Sequence, residues 1–188
     1  PASESPDQFT VGTIKSIEAH NGIDCLLDAA NILISKYDNI HINFLIVGQG
    51  SLLEDMKRKT ADLGLSNYVK FSGYIPHENI VEYYQKLSVF IAVSTRESFG
   101  VSILEAASCG IPAITSNVGG LPEVNENQKT GFVIPPNNAL MLAKKIVTLY
   151  EKEVLRKTMG ENARKKVIQN FDWQKNVDQM KEIYNNYQ

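Results

Sequence analysis

Three features of the sequence predict an α/β fold. Short apolar runs alternate with segments of helical spacing from residue 9 to residue 134. The runs are apolar at nearly every position, as in Ile42–Val47, which suits parallel strands covered on both faces. After Pro135-Pro136 the alternation stops and only helical periodicity remains. The expected architecture is a single Rossmann-like domain with a mostly parallel six-stranded sheet, helices on both faces and a helical C-terminal tail.

The elements follow in order. Phe9–Ile14 reads as the first buried strand, followed by a loop to Gly22. Ile23, Leu26, Leu27, Ala30, Leu33, Ile34 and Tyr37 recur at helical spacing. Ile42–Val47 is the second strand, ended by Gly48-Gln49-Gly50, and Leu52, Leu53, Met56 and Leu63 mark the next helix. Val69–Ser72 is a third strand, Asn79–Lys86 a short helix and Val89–Val93 a fourth strand. A helix over Val101–Cys109, a strand over Pro112–Ser116 and a sixth strand over Gly131–Ile134 complete the sheet. The tail holds an amphipathic helix on Leu140, Ala143, Ile146, Val147 and Tyr150, then helices over Lys152–Asn170 and Trp173–Tyr187.

Bulk properties narrow the function. The 188 residues carry a formal net charge of -2, which excludes a polycation that binds nucleic acid through bulk charge. No apolar run is long enough to span a bilayer, and the start PASESPDQ is polar, unlike a signal peptide. Cys25 and Cys109 read as free thiols of a reducing cytosol, with a disulfide as the unsupported alternative. Residues 140–175 hold nine Lys and Arg against four Asp and Glu, a local charge of +5. A solvated helix face is the default for that charge. Weak peripheral attraction to an anionic membrane is the sharper reading, which would put the protein at the inner membrane face.

The chemistry concentrates in Ser94–Glu123, STRESFGVSILEAASCGIPAITSNVGGLPE. Glu97 and Glu105 are separated by seven residues, with Ser98-Phe99-Gly100 between them. Phe99, Gly100 and Val101 open a helix whose free N–H groups and dipole favour a phosphate. A carboxylate can accept from both hydroxyls of a vicinal diol. Either acid alone reads more plainly as a helix-dipole partner or a solvated residue. Gly119-Gly120-Leu121-Pro122-Glu123 follows a strand at its carboxyl end, and reads either as a backbone wall for a substrate or as a plain turn. Lys15, just past the first strand, could neutralise a diphosphate or stand as an exposed loop lysine.

Other site classes fit poorly. Gly48-Gln49-Gly50 lacks the third glycine of a dinucleotide fingerprint, since position 53 is Leu. No acidic residue ends the following strand, so a tight strand-to-helix turn is favoured over NAD binding. His20, His41 and His77 match no metal spacing, and no Asp-x-Asp occurs.

The order and spacing of these motifs resemble the C-terminal, donor-binding domain of retaining glycosyltransferases of the two-Rossmann-domain type, the glycosyl transferases group 1 family. The resemblance runs through Val11-Gly12-Thr13-Ile14, Val47-Gly48-Gln49-Gly50, Val69–Tyr74, Ser94–Glu123, Gly131–Pro135 and Phe171-Asp172-Trp173. It implies transfer of a sugar, hexosyltransferase-type chemistry, from a nucleotide diphosphate donor to a glycan or lipid-linked acceptor. Retention of configuration is implied, with no cofactor and no obligatory metal. Polysaccharide biosynthesis in the cytoplasm is the implied setting. Glu97 would contact the transferred sugar and, with Lys15, do the catalytic work. Glu105 would hold the donor ribose. Backbone N–H groups of Ser98, Phe99, Gly100 and Val101 would meet the diphosphate or sugar. Gly73, Tyr74 and Ile75 would lie by the base, and Gly12, Thr13, Lys15 and Gly48 would complete the donor site.

The chain departs from the family pattern in two ways. Thr13 and Asn21 stand where many relatives carry Arg and Lys, which leaves Lys15, with Arg96, to meet the diphosphate. Nothing in residues 1–188 corresponds to the N-terminal acceptor-binding domain, so the resemblance implies half an enzyme, inactive alone. Residues 173–188 would form the helix that crosses back to the missing half, with apolar residues left partly exposed. Two rivals remain: a nucleotide-binding regulatory or scaffold module that never catalyses, and a sugar-nucleotide epimerase. The epimerase should lack the Glu97/Glu105 pair.

Overall fold

The computed structural model describes residues 9–37 and 39–185. The start of the chain and the last three residues of the expected C-terminal helix lie outside these. Six parallel strands form one sheet in the order β3-β2-β1-β4-β5-β6. They are β1 (Phe9–Ile14), β2 (Ile42–Val47), β3 (Val69–Gly73), β4 (Val89–Ala92), β5 (Ala113–Ser116) and β6 (Gly131–Ile134). The direction of winding reverses between β1 and β4, so the loops after these two strands part toward opposite faces. A crevice opens there at the carboxyl edge of the sheet.

The inner strands are mostly apolar because both faces are covered, whereas the edge strand β3 carries an exposed Lys70. One core layer holds Val11, Phe44, Ile46 and Val89 of the sheet against α1 (Ile23–Lys36), α2 (Leu53–Asp62) and α6 (Ala139–Glu151). The other holds Leu45, Val47, Phe90 and Ala92 against α3 (Ile80–Tyr84), α4 (Val101–Ser108) and α5 (Leu121–Val124). Adjacent strand residues thus serve opposite layers, as the pleat requires. The long α7 (Glu153–Asn170) packs on α4 and α6.

Three strands carry the bounds read from the sequence, and the others differ by a residue at one end. Three short elements were not expected, one of them a 3₁₀ turn over His77–Asn79 that leads into α3. Residues Ala19–Asn21 form a 3₁₀ turn inside the β1–α1 loop, and the Gly119–Glu123 stretch runs into the single-turn α5. Both cysteines are free, and burial pushes the Cys25 thiol up to about 11. The final helix α8 (Trp173–Asn185) has no buried residue, and Trp173, Met180, Ile183 and Tyr184 are exposed on it. Among the described residues no helix is long and apolar enough to cross a membrane.

Candidate active site

A cleft of about 760 Å³ lies at the reversal point, between the loop after β1 and the loop after β4. Ile14, Lys15, Ser16, His20 and Asn21 line one side; Arg96 to Ser102 line the other. The loops are set against each other by backbone contact: Thr95 N–H donates to the His20 carbonyl at 2.8 Å.

Glycines let the loops approach this closely. Gly119 has φ +50°, and a Cβ there would sit 1.7 Å from the Glu97 carbonyl oxygen. One on Gly120 would sit 2.5 Å from the Ser98 carbonyl. This pair therefore packs behind the Glu97 loop and does not line the cleft. Gly48 plays the same part on the other side: its Cβ would meet the Lys15 carbonyl at 1.9 Å. Gly48 supports the Lys15 loop and lies outside the cleft lining. The turn reading of Gly48-Gln49-Gly50 fits this placement.

Within the cleft, the Lys15 ammonium contacts a Glu97 carboxylate oxygen at 2.5 Å and donates to Ser94 Oγ at 2.9 Å. Both charged side chains are largely enclosed, at 9% exposure for Lys15 and 19% for Glu97. Ser94 is fully buried, and its carbonyl accepts from Ser116 Oγ at 2.5 Å. A chain of contacts thus fixes the ammonium from β5 through β4. Ser94 and Ser116 carried no expectation from the sequence. Their signal is a polar residue following a buried strand, at the edge where ligands bind.

Gly100, at φ +100°, precedes α4 and lets the chain turn sharply into it. A side chain there would press on Leu121 and Ile103. No side chain caps the helix. Among the described contacts the N–H groups of Gly100, Val101 and Ser102 meet no protein acceptor. The turn thus presents donors and the positive end of the helix dipole to the cleft. Phe99 stands beside it, 38% exposed, with its ring 5.9 Å edge-on from that of Phe171.

Glu105 lies one turn further along α4 and outside this lining. Its carboxylate accepts from the buried Tyr84 hydroxyl at 2.6 Å. Burial, and then this carboxylate, push the Tyr84 phenol far above its ordinary value. Ile75 packs on the same core layer as Tyr84, and Tyr74 is exposed beside it, at the carboxyl end of β3. Gly73 stands at that end too, its carbonyl accepting from Gly48 N–H at 2.8 Å.

The structure thus brings Lys15, Glu97, Ser98, Phe99, Gly100 and Val101 together around one cleft. Gly12 and Thr13 are not brought to it. Both are buried within β1, where a Cβ on Gly12 would strike Leu87 and the Leu45 carbonyl. Asn21 is also buried and closes its own loop by donating to the Ser16 carbonyl and hydroxyl. Among the described residues no group of three His, Cys, Asp or Glu side chains is placed to hold a metal.

The fold and the cleft define the class: a Rossmann-like domain with an uncapped helix start and a paired carboxylate at its reversal point. Residues 2–166 match the model of the glycosyl transferases group 1 family, and the chain belongs to that family. Over 182 residues, the chain is 30% identical to the capsular polysaccharide biosynthesis glycosyltransferase CapM of Staphylococcus aureus, covering 96% of itself and 47% of CapM. Its fold superposes on that of HepE from Anabaena, solved in complex with UDP and glucose, with a TM-score of 0.87 and 26% identity over 95% of this chain and 48% of HepE. It shares the fold of the C-terminal domain of the group 1 protein LpcC from Francisella tularensis, at TM-score 0.80 and 22% identity, covering 88% of this chain and 87% of that domain. The chain spans less than half the length of the curated relatives it matches.

Proposed function

We propose that this chain is the donor-binding half of a glycosyltransferase that transfers a hexose-type sugar from a nucleotide diphosphate to a glycan or lipid-linked acceptor, with retention of configuration. Its family membership and the nucleotide-bound HepE support this reading. The observation that carries it is the placing of two carboxylates around the uncapped start of α4. Glu97 precedes the helix within the cleft, and Glu105 lies on the helix against Tyr84 of α3.

In this reading the diphosphate lies against the α4 N-terminus, the sugar reaches Glu97, and the ribose reaches Glu105. The base stacks near Gly73, Tyr74 and Ile75. During transfer the bond from the anomeric carbon to the diphosphate oxygen breaks, and the diphosphate leaves with the electron pair. The acceptor hydroxyl oxygen bonds to the same carbon, and its proton passes to the departing diphosphate. The growing negative charge meets donors that are already oriented, so little reorganisation is needed. No metal is required. The acceptor is held by a further domain, so residues 1–188 alone bind donor without transferring sugar. The work takes place in the cytoplasm, with the basic α6–α7 region near the inner membrane face.

Calorimetry of the chain with UDP, GDP and ADP, and with a sugar conjugate of each, tests this. One nucleotide series is expected to bind, and Glu105→Ala to weaken every member of it that binds. Absence of binding in all three series would sink the proposal. Sugar transfer by the isolated chain would overturn the assignment of half an enzyme.

A further inference from the structure

Lys15 and Arg96 both line the cleft, but in different states. The Lys15 side chain is nearly enclosed, and its ammonium is divided between Glu97 and Ser94. Arg96 is exposed and forms no ion pair among the described residues. Two other polar residues of this stretch are spent on structure: Thr13 is buried in the strand, and Asn21 ties down its own loop. With Lys15 compensated by Glu97, the positive charge left for a ligand is that of Arg96. Moving Lys15 onto an incoming diphosphate would break two contacts in an enclosed place. It would also leave the Glu97 charge bare beside another anion. A guanidinium, in contrast, offers a planar fork that matches two phosphate oxygens.

We propose that Arg96 binds the donor diphosphate, and that Lys15 is a positioning residue that holds the Glu97 carboxylate ready for the sugar. This rests on the nucleotide-sugar reading above. Arg96 and the free N–H groups at the start of α4 then share the diphosphate oxygens. Lys15 remains in its pair throughout. The sugar hydroxyls meet a charge-compensated carboxylate, so an acid can stand close to an anionic leaving group without repelling it.

The probe is whichever of UDP, GDP and ADP binds the wild-type chain, together with its sugar conjugate. Arg96→Gln should weaken the nucleoside diphosphate about tenfold and flatten the salt dependence of binding. Arg96→Lys should recover part of the loss. The double variant Lys15→Met/Glu97→Gln removes one cation and one anion, so the net charge of the cleft is unchanged. It should hold the nucleoside diphosphate within about twofold of wild type and lose the extra affinity contributed by the sugar. Lys15→Met with Glu97 kept should likewise lose the sugar's contribution; lower thermal stability with that contribution intact would mean that Lys15 serves folding alone and would overturn its positioning role. A larger loss of nucleoside diphosphate affinity in the double variant than in Arg96→Gln would overturn the proposal. Equal affinity in wild type and Arg96→Gln would overturn it too. That second arm stands even if the double variant fails to fold, because Arg96 is exposed. Failure of the wild type to bind any of the three would bring down the nucleotide-sugar reading, and the proposal with it.

Discussion

Glu97 and Glu105 stand four residues before and four residues after Val101, the first residue of α4, yet they are held by opposite chemistry. Glu97 faces an ammonium and is charge-compensated. Glu105 faces a phenol and has no ion-pair partner among the described residues. An ion pair fixes a carboxylate while cancelling its field; a hydroxyl fixes it without cancelling anything. The compensated acid lines the cleft that opens on the helix start, where an anion would be received. The uncompensated one lies outside that lining. Position along one helix thus decides which kind of partner an acid can keep.

The comparison can be broken most severely from behind the Glu97 loop. Gly119→Ala should cost about 3 kcal/mol in urea unfolding, since its Cβ cannot coexist with the Glu97 carbonyl and its φ is left-handed. It should displace Glu97 and leave the Tyr84–Glu105 contact standing. Next in size is Lys15→Met, which strands the Glu97 charge in an enclosed place. Removing one partner of a mostly buried pair should cost about 2 kcal/mol. Lys15→Arg should return most of it. If Lys15→Met leaves stability unchanged, the pair does not hold the loop.

Much of the fold was legible because each strand is a short apolar run bounded by polar or glycine-rich segments. The three short elements escaped for local reasons. Helical periodicity cannot register in a single turn, and the glycines before Leu121 read as a bend. The site was legible in part. Glu97, Phe99, Gly100 and Val101 share one short stretch, so local sequence groups them with each other. Lys15 meets Glu97 and Ser94 across separations of 82 and 79 residues, Ser116 meets Ser94 across 22, and only the sheet order unites them. Tyr84 reaches Glu105 across 21 residues in the same way. The sequence could supply Lys15 as a cation, but not the fact that its charge is already spent.

A milder variant sharpens the other half of the comparison. Tyr84→Phe removes the 2.6 Å hydrogen bond to Glu105 and nothing else of similar size. Glu105 is half-buried and can turn to water, so the cost should be about 1 kcal/mol. Affinity for nucleotides should fall with it, because the carboxylate loses its fixed orientation.

The smallest effect follows from the Tyr84 phenol itself. Burial and the Glu105 carboxylate raise it above its ordinary value of 10.0. Near pH 10 the unfolded chain therefore releases this proton while the folded protein keeps it. The unfolded state then binds fewer protons, so stability is full below pH 10 and declines as the pH rises through and beyond it. Between pH 8 and pH 10 wild type should lose about 0.4 kcal/mol more than Tyr84→Phe, which has no such proton to keep. The Cys25 thiol, raised to about 11, declines over a similar range but does so in both proteins and cancels in the difference. Parallel stability curves for the two proteins would mean that the phenol ionises alike in the folded and unfolded states. The contact with Glu105 would then not be what holds the proton on the phenol.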